Sequence, residues 1–321
     1  MNDLPGKLAN WIPWKLSGTL CSWLYLGNKK IIEPFFNDTI SVCRNLNENR
    51  KPYKVVSDLD IMAEWAEDIN AVSPSAVIFH VSRCGSTLLS QLLALDEQNI
   101  VLSEVPFFDE LLRLRYRNFA GIKTIDNYLS AAIKFYGQKR NEKENNLFIK
   151  TDSWHLHFYE QLRNLFPFIP FILLYRNPGE VILSHQKQRG MQSVPGMIEP
   201  KVFGFSTEQI EETNLDAYMI NVLESYFTKM IEIAETDKNV SLFNYKEGMI
   251  NILKNITGEL NLIITKETES LLNERMRFHA KHPQQLFAEH RKESSEKNSL
   301  GGVFKLYEEL DAIRLNKLST M

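Results

Sequence analysis

The stretch that decides the fold is Ala76-Val77-Ile78-Phe79-His80-Val81, then Ser82-Arg83-Cys84-Gly85-Ser86-Thr87, then Leu88-Leu89-Ser90-Gln91-Leu92-Leu93. A continuous apolar run with one polar member reads as a strand buried on both faces. A tight polar loop and an apolar helix follow it. In that order the loop aims successive backbone N–H groups at one point, and the helix N-terminus adds unpaired donors and the positive end of its dipole. The expected ligand is a phosphorylated nucleotide. Gly85 permits close backbone approach to the anion, Ser86 and Thr87 offer hydroxyls, and Arg83 offers a fixed charge. A Gly-Ser turn capping a buried helix, with Ser82 or Ser86 as the cap, fits the loop by itself equally well.

Similar apolar runs recur outward from this unit, at Ile100-Val101-Leu102, Leu147-Phe148-Ile149, Phe168 to Tyr175 and Val240 to Phe243. Helical patterns at 86–95, 106–116, 124–138, 154–165, 178–188 and 207–236 separate them. The alternation implies βαβ units, hence an α/β three-layer fold with a central, mainly parallel sheet and helices on both faces. Ahead of it, residues 1–72 form a small N-terminal extension with short strands. There Ser22-Trp23-Leu24-Tyr25-Leu26 ends at a Gly27-Asn28 turn, a polar loop spans 45–52, and a short helix runs from Asp60 to Asn70. The break at Ser73-Pro74-Ser75 sets a boundary, giving regions 1–72 and 73–321. The charged stretch His290 to Asn298 reads as a loop.

Bulk composition narrows the function. The chain has 321 residues, 44% of them hydrophobic and 24% charged, with a formal net charge of −3. That near-neutral balance gives no footing for a polyanionic partner, so no nucleic acid is expected, although a few basic groups can still hold a small anion. Three scattered cysteines, Cys21, Cys43 and Cys84, have no metal or redox spacing and fit a reducing compartment. The N-terminal residues lack the pattern of a secretion signal. No run approaches the roughly 18 apolar residues of a membrane span. The expected location is the cytoplasm.

The loop departs from the nucleotide triphosphatase pattern Gly-x-x-x-x-Gly-Lys-Ser/Thr. Aligned on Gly85, the first glycine becomes His80 and the lysine becomes Ser86. That lysine normally reaches the β- and γ-phosphates, so its absence argues against ordinary ATP or GTP hydrolysis. Arg83 puts the cation before the glycine, where it can meet a terminal, transferring group. A second unit follows: Phe171-Ile172-Leu173-Leu174-Tyr175, then Arg176-Asn177-Pro178 and a helix with proline in its first turn. Ser184, eight residues after Arg176, can face the carboxyl end of the strand, where α/β sheets bind ligands. Arg176 and Ser184 form a candidate clamp for a second phosphate.

Together the two units resemble the sulfotransferase family. Its 5′-phosphosulfate loop, Lys/Arg-x-Gly-Ser/Thr-Ser/Thr, matches Arg83-Cys84-Gly85-Ser86-Thr87. Its 3′-phosphate motif, Arg-Asn/Asp-Pro-x-Asp/Glu-x-x-x-Ser, matches Arg176-Asn177-Pro178-Gly179-Glu180 through Ser184. The resemblance covers residues 76 to about 190. It implies a P-loop-type fold and 3′-phosphoadenosine 5′-phosphosulfate as co-substrate, held by Ser82, Arg83, Cys84, Gly85, Ser86, Thr87, Arg176 and Ser184. Phe243-Asn244-Tyr245-Lys246-Glu247 is loosely similar to a tyrosine–acid strand end of the family.

Sulfuryl transfer needs a base for the acceptor proton and cations on the bridging and sulfuryl oxygens; it requires no metal. Phe148-Ile149-Lys150-Thr151-Asp152 resembles a family segment in which the lysine meets the leaving phosphate and a histidine is the base. Lys150 carries over, but Asp152 stands where the histidine would be. Ser103-Glu104 resembles the acidic base of other members, so Glu104 is the favoured base, Arg83 a second catalytic cation, and Asp152 a cap or supporting residue. His80 reads as a core histidine. His155 and His157, two apart, do not read as a metal pair, and Lys281, His282, Arg291 and Lys292 read as solvated surface. The acceptor is expected to be a small molecule, a sugar or a lipid-like compound, met by segments 105–120 and 186–206 with Phe107, Phe108, Tyr116, Met191 and Met197. The alternatives are a P-loop kinase and a non-catalytic nucleotide-binding module.

Overall fold

The computed structural model describes residues 4–117, 122–278, 280–281, 285–286 and 300–319. Its strands form two sheets. β1 (Trp11–Ser17), β2 (Leu20–Tyr25) and β3 (Val56–Asp58) pair antiparallel in the order β1-β2-β3. β4 (Pro74–His80), β5 (Asn99–Ser103), β6 (Asn146–Lys150), β7 (Phe171–Tyr175) and β8 (Val240–Asn244) form a parallel sheet in the order β5-β6-β4-β7-β8. The fold is therefore α/β, with a central sheet flanked by helices.

β4 lies at the centre because its apolar residues can be buried on both faces. Val77 stands opposite Ile149 on one side and Phe171 on the other, and residues 76–79 are almost fully buried. The expected break at Pro74 is instead the first residue of this strand, a position where a missing N–H is tolerated. From β4 the chain runs outward to β5, back to β6, then across to β7. The order thus reverses at the carboxyl end of β4, the crevice where open α/β sheets bind ligands.

Several helix boundaries differ from expectation, each for a local reason. The helix after β4, Ser86–Leu93, is capped by Gly85 rather than by a serine. Pro178–Lys187 starts as the sequence implies: the Asn177 side chain accepts from the N–H groups of Gly179 and Glu180. The stretch 207–236 splits into Thr207–Ile210 and Leu215–Thr236, because Asn214 caps a fresh start. Ser153–Phe158 is a 3-10 turn leading into Tyr159–Leu165, and Phe36–Cys43 is a helix inside a stretch that carried no clear pattern.

One hydrophobic core runs through both sheets. The N-terminal sheet packs on the helices Pro106–Arg113 and Ile122–Tyr136. Trp23 meets Phe135 edge-on at 4.7 Å, and the Tyr136 hydroxyl donates to the Pro13 carbonyl. Glu110 accepts the Leu16 N–H at 2.7 Å. The C-terminal helix Gly301–Ser319 brings Asp311 to the sheet, where Tyr175 and Asn244 donate to it at 2.8 and 2.9 Å. No helix among the described residues is long and apolar enough to cross a membrane.

Candidate active site

The carboxyl ends of β4 to β7 and the turn after β8 open on one cleft of about 1280 Å³. Ser82, Arg83, Gly85, Ser86, Thr87, Glu104, Asp152, Arg176 and Ser184 all line it. Of the residues singled out in the sequence, Cys84 and Lys150 do not. The Cys84 thiol is buried, points at the Leu174 carbonyl and is pushed up to about 11 by that burial. Its side chain packs in the core beneath the loop.

Loop 82–87 depends on backbone strain. Ser82, Arg83 and Gly85 have φ of 69°, 52° and 84°, so the chain turns in the left-handed region. Gly85 is needed for a reason the sequence does not give. A Cβ there would lie 2.5 Å from Met249 Cε and 2.8 Å from the Tyr245 ring. The crowding comes from the turn after β8, on top of any approach to an anion. Tyr245 in turn carries the Arg176 guanidinium over its ring at 4.1 Å. Arg176 also donates to Glu180 and, at 3.3 Å, to the Arg83 carbonyl, so the second motif braces the first.

Ser82 is held rather than presented. Its N–H donates to His80 Nδ1 at 3.0 Å, and its hydroxyl oxygen accepts from Gln192 at 2.7 Å, with His185 Nε2 at 3.3 Å. Burial, then the charges of Arg83, Arg189 and Lys281, press the His185 pKa down to about 3, so its imidazole is neutral. Arg83 lines the cleft while one end of its guanidinium donates to the Gln188 carbonyl at 2.5 Å.

On the other side, Glu104 has φ 54° just past β5, which turns its side chain back over the sheet. Its carboxylate pairs with the Lys150 ammonium and sits 3.5 Å from His80 Nε2. The Lys150 side chain has no exposure, whereas that of Glu104 keeps 23%. The lysine therefore stands behind the carboxylate instead of facing the cleft. Burial alone would raise the Glu104 pKa, but Lys150 and then His80 draw it well below the usual carboxylate range. His80 is likewise more than a core residue. Accepting from Ser82 N–H at Nδ1 leaves its proton on Nε2, which faces the Thr151 carbonyl at 3.0 Å and Glu104.

Asp152 lies at the start of the turn Ser153–Phe158, as a capping position requires. Burial, then the charges of Glu104 and Asp109, push its carboxyl well above the usual range. His155 Nε2 lies 3.0 Å from Asp109, which also accepts from Trp154 and Arg113. Asp109, Asp152 and His155 each offer one donor atom within 4.8 Å of the others, a spacing that suits a small cation. Asp109 is already engaged there by Arg113 at 2.9 Å. Of the residues expected to meet the acceptor, Met191 lines the cleft. Phe107 and Phe108 are buried in the core, and Tyr116 packs on Phe158.

No protein-family model matches the chain, and no curated protein matches it. Solved structures similar to it include the sulfotransferase STF9 from Mycobacterium avium, at 14% identity and TM-score 0.47, covering 80% of this chain and 78% of that one. Another is a sulfotransferase domain from the curacin biosynthetic pathway, at 16% identity and TM-score 0.43, covering 73% and 83%. A sulfotransferase from Alicyclobacillus acidocaldarius matches at 12% identity and TM-score 0.44, covering 76% and 96%. All three are distant likenesses.

Phe35, Asn37 and Asp38, which the sequence did not mark, reach the cleft from the N-terminal region, and Tyr245 of the tyrosine–acid segment and Lys281 from beyond the helix Lys266–Arg275 also line it. Local sequence carries no signal for Phe35. Lys281 belongs to the basic run set aside as surface; His282, Arg291 and Lys292 of that run, and the stretch His290 to Asn298, lie outside the described residues.

Proposed function

We propose that this chain is a sulfotransferase with a P-loop-type fold, transferring a sulfuryl group from 3′-phosphoadenosine 5′-phosphosulfate to a hydroxyl or amine. One observation carries the reading: loop 82–87, the Arg176–Ser184 unit and the Glu104 carboxylate open on a single cleft. Its 1280 Å³ exceeds the roughly 300–1,000 Å³ of a typical single-ligand pocket, so a nucleotide and an acceptor fit together. The absence of lysine at Ser86 continues to disfavour a P-loop kinase.

In this reading the N-terminus of helix Ser86–Leu93, with the Ser86 and Thr87 hydroxyls, holds the 5′-phosphate, and Arg176 with Ser184 holds the 3′-phosphate. The donor supplies the sulfuryl group as a mixed anhydride. Glu104 takes the acceptor's proton as the acceptor's oxygen or nitrogen bonds to sulfur. The bond from sulfur to the 5′-phosphate oxygen breaks, and the electron pair leaves on that oxygen. Lys150 and His80 fix the carboxylate's direction and keep it ionised; its low proton affinity is the condition the reaction must relieve. The anionic donor bound beside it would do so, because a like charge nearby raises a carboxylate's proton affinity. Asp152 supports this wall by capping the turn Ser153–Phe158.

The test is thermal stability with adenosine 3′,5′-bisphosphate against ATP with Mg²⁺, since a ligand that binds only the folded state raises the melting temperature. The bisphosphate is expected to stabilise and ATP not to. The reverse result overturns the reading in favour of the kinase. Sulfur-labelled donor incubated with cell extract then identifies the acceptor by what gains label. Binding without any labelled product would favour the non-catalytic module.

A further inference from the structure

Lys150 is the lysine that the resemblance assigns to the leaving phosphate, yet it is sealed behind Glu104. A different lysine reaches the cleft at the same place. Phe35, entering from the N-terminal region, has the Lys150 ammonium 5.5 Å from its ring centroid and the Lys281 ammonium at 5.3 Å. Both contacts are cation–π interactions, which hold an ammonium without neutralising it. Lys281 lines the cleft; Lys150 does not. The charged groups whose fields reach Lys281 come from three elements: Arg83 after β4, Glu104 after β5 and Lys150 at the end of β6. This places the ammonium at the Arg83–Glu104 end of the cleft, where transfer would occur.

Resting on the sulfotransferase reading, we infer that Lys281, perched on Phe35, is the cation that meets the sulfuryl group, in place of Lys150 and apart from the 3′-phosphate clamp at Arg176 and Ser184. Residues 1–72 then have a catalytic part to play, because Phe35 is the perch. Burial and the Arg83 charge lower the lysine's pKa to about 8, with Glu104 opposing them and Lys150 adding to them. A lysine so placed is charged below that pH and loses its proton as pH rises through it.

The experiment uses the full chain and two probes that separate the ends of the donor. Adenosine 5′-phosphosulfate carries the sulfuryl group without a 3′-phosphate; adenosine 3′,5′-bisphosphate carries the 3′-phosphate without a sulfuryl group. Lys281→Met is expected to weaken the phosphosulfate about tenfold, the scale of one charge-assisted hydrogen bond, and to leave the bisphosphate within about twofold. Lys281→Arg is expected to keep phosphosulfate binding and to move its alkaline loss, centred near pH 8 in the parent, to higher pH. A loss confined to the bisphosphate puts Lys281 at the 3′-phosphate and overturns the inference. Unchanged binding of both probes makes it a surface lysine and overturns it too. Binding of neither probe by the parent protein instead fails the sulfotransferase reading itself.

Discussion

The two walls of the cleft are built on opposite principles. On the β4–β7 wall, loop 82–87 and Arg176–Ser184 are short contiguous segments, and their groups are held by neighbours such as Glu180 and Gln188 while facing the cleft. On the β5–β6 wall, Glu104 and Lys150 pair with each other, His80 from the end of β4 joins them, and Asp152 caps the adjoining turn. The first wall is set to receive charge from a ligand. The second holds its charge in internal pairs. The groups of each segment of the first wall lie close together in the chain, whereas those of the second meet only when distant segments fold together.

The sharpest way to break this contrast is Glu104→Gln. It should lower transfer by roughly 10²–10⁴-fold, the range of a lost general base, with bisphosphate binding retained. Near-normal turnover would reduce the β5–β6 wall to a structural ion pair. Next in size, Arg176→Ala should weaken adenosine 3′,5′-bisphosphate by about 10- to 100-fold in calorimetry, the scale of a charged hydrogen bond, and Ser184→Ala by less. An unchanged dissociation constant would remove the clamp from the binding wall. Gly85→Ala should destabilise the fold by about 2 kcal/mol in denaturant melts, since a left-handed residue costs about 1–2 kcal/mol and the added methyl must also displace Tyr245.

Asp152→Asn should have the smallest effect, and its sign is informative. The folded-state pKa of Asp152 lies above its unfolded value, so folding takes up a proton. Its stabilising share is complete below the unfolded pKa and fades as pH rises through the folded one. Asparagine removes that dependence. The variant should melt no lower than the parent at neutral pH, and lower only in acid. A large loss of stability at neutral pH would mean that Asp152 works as a charged residue within the wall.

What could be read from the sequence followed the same division. The strand runs, the helix after Asn177 and the polar loop were visible because each is a pattern over a few adjacent residues. The alternative reading of the loop put Ser82 or Ser86 as the cap of helix Ser86–Leu93, but the cap is Gly85, because a left-handed glycine leaves no local trace that distinguishes it from a turn. His80 read as core because burial is encoded by its neighbours in β4, while its link to Glu104 crosses from β4 to the end of β5. Phe107 and Phe108 read as acceptor contacts, but the amphipathic helix Pro106–Arg113 turns them into the core.

By itself, then, the sequence determined a parallel α/β sheet whose central strand ends in a tight polar loop, with an arginine–serine unit about 90 residues later that lines the same crevice. These follow from periodicity, helix-end chemistry and strand order, all short-range or combinatorial constraints. Only the tertiary structure decided that Tyr245 is what makes Gly85 necessary, that Lys150 stands behind Glu104, and that Phe35 brings the N-terminal region against Lys150. Those are contacts between segments far apart in the chain. Side-chain type makes them possible, but only the packing of the core fixes which ring, ammonium and carboxylate meet.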